Sequence, residues 1–543
     1  MRLEHLKKIR RVVALSFFAL TALLFLDFAN VFPSEWTNGV LYLQFVPSLM
    51  KLSGIVNLGA IGCLLILVLT ILFGRVYCSS ICPLGTLQDF ISSLARKNHS
   101  KYIKPFNTLR YSVLTITVLS VFGGSLVLLD LLDPFSNFGR IFSNLFKPVV
   151  VSANNAIAFG LQSVGLYSVY AVEMKGIEIA SLLISLLVLS ALLWMAYRHD
   201  RLYCNTICPV GALLGWMSKF SLYKIAIDKG VCISCKKCEQ VCKGGCIDKK
   251  AKTVDFTRCV SCYNCFNVCP TEALAFERAH VEAPVRMPYP DAEPAIVRPN
   301  ILLRERRNNP TPQTDYNRRD VVIKSLLFLT GTTTVSKKRI ISSKENTVKI
   351  VRTTPVAPPG SKSIEHFNST CTACHLCVSA CPSQVLAPSF LEYGIAGIVQ
   401  PHMKYSNGFC SFECTLCTEI CPSGAILYLS QETKKLTQLG VAKFVKDNCI
   451  VKTEGKECGA CSEHCPTKAV NMVPYKPENI ALNKQLVIPE VKEDYCIGCG
   501  ACEYACPAKP YKAIYVEGKE IHAVAKKPEV KKLQEEAKAD FPF

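Results

Sequence analysis

Four long uncharged apolar runs dominate the first two hundred residues: Val12–Leu26, Leu52–Phe73, Tyr111–Leu129 and Ile179–Tyr197. Each predicts a membrane helix. The last three are long enough to cross a bilayer, and the first becomes so if Asp27 sits near the interface. Pro148–Val172 is also uncharged, but Asn154, Asn155, Gln162 and several Ser and Gly favour an interfacial or re-entrant stretch over a fifth span. Further along, apolar runs shorten and cysteines at short spacings take over. Two proline-rich stretches read as extended linkers: Glu282–Pro312, with seven prolines, and Thr353–Gly360.

Charge orients the runs. Lys7, Lys8, Arg10 and Arg11 precede the first; Arg75, Arg96, Lys97, Lys101, Lys104 and Arg110 follow the second; Arg198 and Arg201 follow the fourth. The opposite loops carry only Lys51, and then Arg140, Lys147 and Lys175. The positive-inside rule therefore places the N-terminus, and the chain after the fourth run, in the cytoplasm. No small-residue cleavage site follows the first run, which argues against a signal peptide.

Composition agrees with this frame. With 543 residues, half of them hydrophobic, the chain is too large and too apolar for one soluble domain. Its thirty cysteines cluster in metal-ligand runs and do not form the scaffold of a small secreted protein. The formal charge of +20 is offset by what those runs would hold: a thiolate-ligated cubane carries about −2, so six would cancel roughly twelve positive charges. No aromatic-interleaved basic stripe points to nucleic acid.

Two runs, Cys232-x2-Cys235-x2-Cys238-x3-Cys242 and Cys259-x2-Cys262-x2-Cys265-x3-Cys269-Pro270, have the two-cluster ferredoxin spacing. Three thiolates on a tight loop hold three corners of a cube, and the fourth leads away to the other cube. The expected sets are Cys232, Cys235, Cys238 with Cys269, and Cys259, Cys262, Cys265 with Cys242. Cys246 is an extra thiol that could replace Cys242, since Lys243 stands where proline is usual. The last third adds Cys371, Cys374, Cys377, Cys381; Cys410, Cys414, Cys417, Cys421; Cys449, Cys458, Cys461, Cys465; and Cys496, Cys499, Cys502, Cys506. Six quartets imply six [4Fe–4S] clusters. Which of the last four quartets exchange their fourth cysteines is not legible. His375 and His464, between ligands, read as loop packing.

An internal repeat joins the membrane part to this chemistry. Gly74-Arg-Val-Tyr-Cys78-Ser-Ser-Ile-Cys82-Pro83-Leu-Gly85 matches Asp200-Arg-Leu-Tyr-Cys204-Asn-Thr-Ile-Cys208-Pro209-Val-Gly211. Each copy offers two soft ligands, half a metal site. Cys78, Cys82, Cys204 and Cys208 are expected to meet across a pseudo-twofold and hold a seventh iron–sulfur centre; a dithiol/disulfide pair or two structural helix starts are the alternatives. Cys63, alone in an apolar run, reads as packing. None of the nine histidines lies within the four runs, so bis-histidine haem has no ligands there. The acids Asp27, Asp130 and Asp133 at the periplasmic helix ends, and Asp89 beside the first cysteine pair, are candidate proton acceptors that read first as solvated groups, and no residue stands out as catalytic. Gly331–Thr334 is too weak a signature for a flavin, and no glycine-rich nucleotide fingerprint is present.

Asn317-Arg318-Arg319-Asp320, a modest apolar run to Val335 and Lys337-Lys338-Arg339 read as an internal twin-arginine export signal. Clusters are inserted in the cytoplasm, so a domain bearing them must cross folded. Residues 1 to about 280, with the duplicated Tyr-Cys-x3-Cys-Pro motifs and a ferredoxin pair, resemble the NapH/MauN membrane ferredoxin family. From about 317 onward, the twin arginines and four quartets resemble the NapG/MauM periplasmic ferredoxin family. The resemblance implies a fusion of the two: a menaquinol or ubiquinol dehydrogenase component in the bacterial inner membrane, feeding a periplasmic reductase or cytochrome. The expected architecture is multidomain, an α-helical membrane bundle of about four transmembrane helices plus α+β ferredoxin-like iron–sulfur domains. It comprises a membrane domain (1–222), a cytoplasmic two-cluster ferredoxin (223–281), a linker (282–316), the signal or anchor (317–342), a second linker (343–365), a four-cluster ferredoxin (366–520) on the periplasmic side and a charged tail (521–543). Two other functions compete: a metallocentre-assembly or copper-handling ferredoxin, and a relay facing only the cytoplasm.

Overall fold

The structure, a computed structural model, describes residues 3–54, 61–94, 102–176, 178–278, 347–475 and 486–527. They belong to one compact unit, Met1–Arg286 with Thr347–Phe543; the second unit, Met287–Asn346, lies outside the described residues, as do the linker 282–316 and the twin-arginine segment.

The amino-terminal part is helical: α1 (Leu3–Leu26), α2 (Ser34–Leu41), α3 (Phe45–Gly54), α4 (Ile61–Phe73), α5 (Val76–Ser80), α6 (Pro83–Leu94), α7 (Asn107–Phe122), α8 (Val127–Leu132), α9 (Pro134–Ile141), a π-helical turn Phe142–Phe146, α10 (Lys147–Ser163), α11 (Ile179–Arg198), α12 (Leu202–Thr206) and α13 (Pro209–Ser218). Two helices, His5–Leu26 within α1 and Ile179–Arg198, are long and apolar enough to cross a membrane. Much of their apolar surface faces outward, with Val12 64% and Leu187 68% exposed, and Leu119 on α7 is 64% exposed. Exposed apolar surface of this extent marks contact with a partner or a membrane.

The expected four spans are not seen as four helices of that length. The second is described as helix only over Ile61–Phe73 after α3 ends at Gly54. The third breaks at Gly123–Gly124, where Gly124 takes φ +80°, and the chain resumes as the short α8. In the Pro148–Val172 stretch, α10 is followed by an irregular return segment. Asn155 donates to the Val172 carbonyl at 2.9 Å and accepts from the Val172 N–H at 2.8 Å, so residues 147 and 178 end up beside one cavity.

The helix α1, 24 residues and so roughly 36 Å long, ties the two ferredoxin regions to opposite ends of the bundle. Near its start Leu6 packs on the core that contains Cys242, Cys259 and Cys265. At its end the Phe25 carbonyl accepts the Ser379 hydroxyl at 2.6 Å, and Phe25 shares a buried cluster with Cys374 and Leu376.

Both ferredoxin regions are built from two-stranded antiparallel ribbons. In the first, β1 (Tyr223–Ile227) pairs with β4 (Leu274–Arg278), and β2 (Ile247–Asp248) with β3 (Thr253–Val254). In the second, β5 (Leu386–Pro388) pairs with β6 (Pro401–Met403), β7 (Thr437–Phe444) with β10 (Ile514–Val524), and β8 (Val470–Tyr475) with β9 (Leu486–Val491). Two expected boundaries shift. The proline-rich stretch Thr353–Gly360 is not a free linker: Val356 and Ala357 are buried, and its backbone bonds to Met403, Leu427 and Gly518. Prolines restrict the backbone enough to lay it along a domain as well as away from one. The segment read as the start of the tail, residues 521–524, completes β10, whose pairing with β7 reaches Val524↔Thr437.

The docking at the end of α1 is tight. A side chain at Gly139 would collide with the Cys374 carbonyl and the Phe25 ring. Gly139→Leu is therefore expected to weaken this junction by about 1–3 kcal/mol, seen as faster hydrogen exchange and proteolysis over residues 371–381. Unchanged protection there would show that the junction does not depend on this close approach.

Candidate metal centres

The cysteine loops form because each brings backbone N–H groups and positive φ together. Ser234, Lys236, Ser261, Tyr263, Ala373 and His375 all lie in the left-handed region within their loops, bending the chain so that successive thiols point one way. The structure gathers Cys232, Cys235, Cys238 and Cys269 round one cavity, and Cys242, Cys246, Cys259, Cys262 and Cys265 round another. In the C-terminal region Cys381 crosses to the cavity of Cys410, Cys414 and Cys417. Its counterpart Cys421 lies with Cys371, Cys374 and Cys377, whose thiols are raised by burial, then at Cys371 by Asp130, and by Cys421 and one another. The same exchange joins the last two runs. Burial raises Cys461 to about 12, with Cys458, Cys506 and Cys449 adding to it. Cys502 is raised by burial and by Cys499, Cys496 and Cys465. Neighbouring runs thus exchange their fourth cysteines, a pairing that the linear spacing left open.

Among the described residues, no group of three or more His, Cys, Asp or Glu could hold a single metal ion. This is compatible with a cubane, which spreads its thiolates around a box of iron and sulfide and not around one ion. The quartets fit that group: they are free thiols, and three cavities are lined by four or five of them each. Cys242 and Cys246 lie 3.5 Å apart, sulfur to sulfur. The hydrogen bond from Cys246 draws Cys242 down to about 7, while its own bonds to Cys242 and Cys259 push Cys246 up. Cys242 is the readier thiolate.

The membrane foursome also converges. Burial raises Cys82 and Cys208, and Cys204 and Cys78 add to both. The two copies are arranged alike. Cys82 and Cys208 precede α6 and α13, each of which has proline as its first residue, and Cys208 accepts the Gly211 N–H at 3.2 Å. The Arg75 guanidinium reaches the Cys204 carbonyl at 3.0 Å, and Arg201 reaches the Cys78 carbonyl at 2.6 Å. Each arginine occupies a slot that exists only because the other copy has glycine there, Gly211 for Arg75 and Gly85 for Arg201. The tyrosines match too: Tyr77 bonds with Gln44, and Tyr203 with Asn137 and the Leu132 carbonyl.

The charges suit an anionic centre. Arg201 pairs with Asp89 at 2.7 Å, and Asp89 also meets Lys243 at 2.8 Å. Burial would raise Asp89, but Arg201 and Lys243 outweigh it and hold the carboxyl at about 2. Arg75 is fully buried and pairs with no carboxylate among the described residues; it faces Cys78 Sγ at 3.8 Å. Burial lowers it, yet Cys78 and Cys204 raise it further. A buried guanidinium needs a counter-charge, and thiolates at these four positions would supply one.

The acids read as solvated are structural. Asp130 and Asp133 are 1% exposed. Asp133 caps α9 through Ser136, Asp130 meets Gln400, and Asp27 holds the turn at Ala29 and Phe32. His375 is buried against the Val399 carbonyl at 2.8 Å, His464 bonds to Ala460, and Cys63 is buried in α4.

Comparison with known proteins follows the same map. A 4Fe-4S binding domain family matches residues 58–101 and 181–227, which contain the two Cys-x3-Cys-Pro copies. Another 4Fe-4S binding domain family matches 252–275, and a 4Fe-4S dicluster domain family matches 448–510. The methylamine utilization ferredoxin-type protein MauM of Methylophilus methylotrophus is 32% identical over 164 residues, covering 27% of this chain and 65% of MauM. The ferredoxin-type protein NapG of Escherichia coli is 31% identical over 154 residues, covering 27% and 64%, and NapF of the same organism 28% over 166 residues, covering 30% and 85%. Over these stretches the chain is similar to ferredoxin-type proteins of the NapG and MauM kind. It spans less than two thirds of the length of MauM and NapG. The NapH/MauN likeness of the amino-terminal part rests on the two 58–101 and 181–227 matches. No solved structure matches the chain.

Two substitutions test the sites. Cys242→Ser should lose one cubane's worth of iron by elemental analysis while Cys246→Ser keeps it; the reverse result would reassign the ligand. Arg75→Met should abolish one paramagnetic signal of the dithionite-reduced protein and leave the quartet signals in place. Retention of every signal would mean that Arg75 does not support the membrane centre.

Proposed function

We propose that the chain is a membrane-bound electron conduit that oxidises quinol at its membrane domain and passes the electrons to a periplasmic reductase. In this reading the six quartets hold [4Fe–4S] clusters and Cys78, Cys82, Cys204 and Cys208 hold a further iron–sulfur centre, each supplying one-electron steps. The observation that carries it is the single file of cysteine sites along α1. The 232-quartet adjoins the Cys242 set, whose Cys262 shares a buried cluster with the membrane foursome. Asn205, next to Cys204, donates to the Gly244 carbonyl at 3.2 Å. On the other side, α8 and α9 separate the foursome from Cys374, holding Tyr203 with one face and receiving the Cys374 loop with the other. From there Cys410 donates to the Cys499 carbonyl at 2.9 Å, linking the two C-terminal pairs.

With α1 across the bilayer, the ferredoxin regions at its two ends lie on opposite sides, and the positive residues at its start place the 223–281 region in the cytoplasm. The file favours a conduit over an assembly factor, which would need no unbroken row of centres. A carboxy-terminal tag should be digested by protease added to spheroplasts, an amino-terminal tag should be protected, and Arg318-Arg319→Lys-Lys should protect both. Protection of the carboxy-terminal tag in the unaltered protein would remove the periplasmic half of the reading. In sealed vesicles with that region outward, an impermeant reductant should bleach every cluster, whereas Cys82→Ser/Cys208→Ser should leave the inner ones oxidised. Full bleaching of that variant would mean that the foursome is not the bridge.

A further inference from the structure

The geometry points to the cavity beside the π-helical turn Phe142–Phe146 as the quinol oxidation site, with Glu178 as the proton acceptor and the cluster site of Cys381 as the electron exit. This rests on the quinol reading above. The cavity, of about 150 Å³, lies where the start of α10 and the start of α11 meet the loop after Cys377, and Cys381 lines it. Voids of this size hold one aromatic ring. Val151 and Leu182 give its lining an apolar part, and Val149 and Ile179 on the same two helices face outward, suited to an isoprenoid tail in lipid.

The rest of the lining is polar, and one group there has no partner. A π-turn inserts an extra residue into a helix and is frequent at functional sites. Here it brings Ser143, Asn144 and Lys147 to the cavity wall. The Ser143 hydroxyl is 91% buried and makes no hydrogen bond in a site with room for a ligand. Asn144 is held by Ser181 and Ser185 at 2.8 and 2.9 Å, and Lys147 by the Ser379 carbonyl. Opposite them Glu178 is paired with Lys404, a carboxylate poised at the exit of the α10 hairpin. A quinol head ring would meet the Ser143 hydroxyl and the Glu178 carboxylate with its own hydroxyls.

Oxidation of one quinol breaks two O–H bonds and gives one quinone, two protons and two electrons. Glu178 takes one proton and solvent at the exposed 173–175 segment takes the other. The two electrons would be taken singly by the clusters that the Cys377 and Cys381 sites would hold. Both sites are served by the same short helix, Leu376–Ala380, whose Ser379 lines the cavity.

The full-length protein in nanodiscs tests this. A photoreactive azidoquinone should label residues 143–151 or 172–182; labelling confined to another segment would overturn the site. A fluorescent hydroxyquinoline N-oxide, a quinol analogue, should be quenched on binding, and Val151→Trp, which fills the cavity, should abolish that quenching. Val151→Trp should also slow menaquinol-driven bleaching of the clusters by roughly tenfold or more, with the dithionite-driven amplitude unchanged. Glu178→Gln should slow bleaching while analogue binding persists. If menaquinol bleaches the unaltered protein but Val151→Trp equally fast, the site falls and the quinol reading stands. If menaquinol does not bleach the unaltered protein, both fall.

Discussion

Two buried guanidinium groups organise the amino-terminal helical half. Arg75 and Arg201 each leave their own copy of the repeat and bind the backbone of the other, at the carbonyl of its first cysteine. A charge taken out of water is costly unless it is paired and hydrogen-bonded, and only the crossed arrangement does both. Arg201 finds Asp89, and Arg75 finds the sulfur of Cys78 and the amide of Asn205. The glycines at 85 and 211 leave the space for this arrangement, and the four thiols converge between the arginines. Around that core α1 packs against α5 and α6, and the Cys242 set docks through Asn205 and Lys243. The foursome belongs to both halves equally.

The chemistry was largely legible in the sequence. Ligand spacing is set by the metal centre more strictly than by the fold, so the quartets stand out, and the paired Tyr-Cys-x3-Cys-Pro copies announce a shared site. What lay beyond reading was set by contacts distant in sequence. The partner of Cys381 is decided by how two loops pack forty residues apart, and the slots at Gly85 and Gly211 are defined by arginines more than a hundred residues away. Apolar runs mislead about helices when glycines fall inside them, as at Gly123–Gly124. Thr353–Gly360 shows the opposite error, since proline content says that a segment is extended and not whether it is free. The π-turn at Phe142–Phe146 has no composition signal at all.

On the proposed reading, quinol meets the file of centres in its middle. Cys381 stands between the membrane foursome and the outermost pair, so electrons entering there have two directions open. Outward lie the 496- and 449-quartets; inward lie the foursome and the cytoplasmic pair. One direction feeds an acceptor beyond the membrane, and the other can poise the inner clusters against a cytoplasmic donor. Their relative potentials, set by burial and hydrogen bonds to sulfur, decide the traffic.

The crossed arginines also impose an order on biosynthesis. Residues 75–85 cannot complete their own site when they leave the ribosome, because the guanidinium that fills the Gly85 slot arrives with residue 201. The first half therefore waits, with α6 unclamped, until the second copy has emerged. On the proposed reading, metal loading of the foursome would then be a late checkpoint, reached only by chains whose two copies have come to the same face.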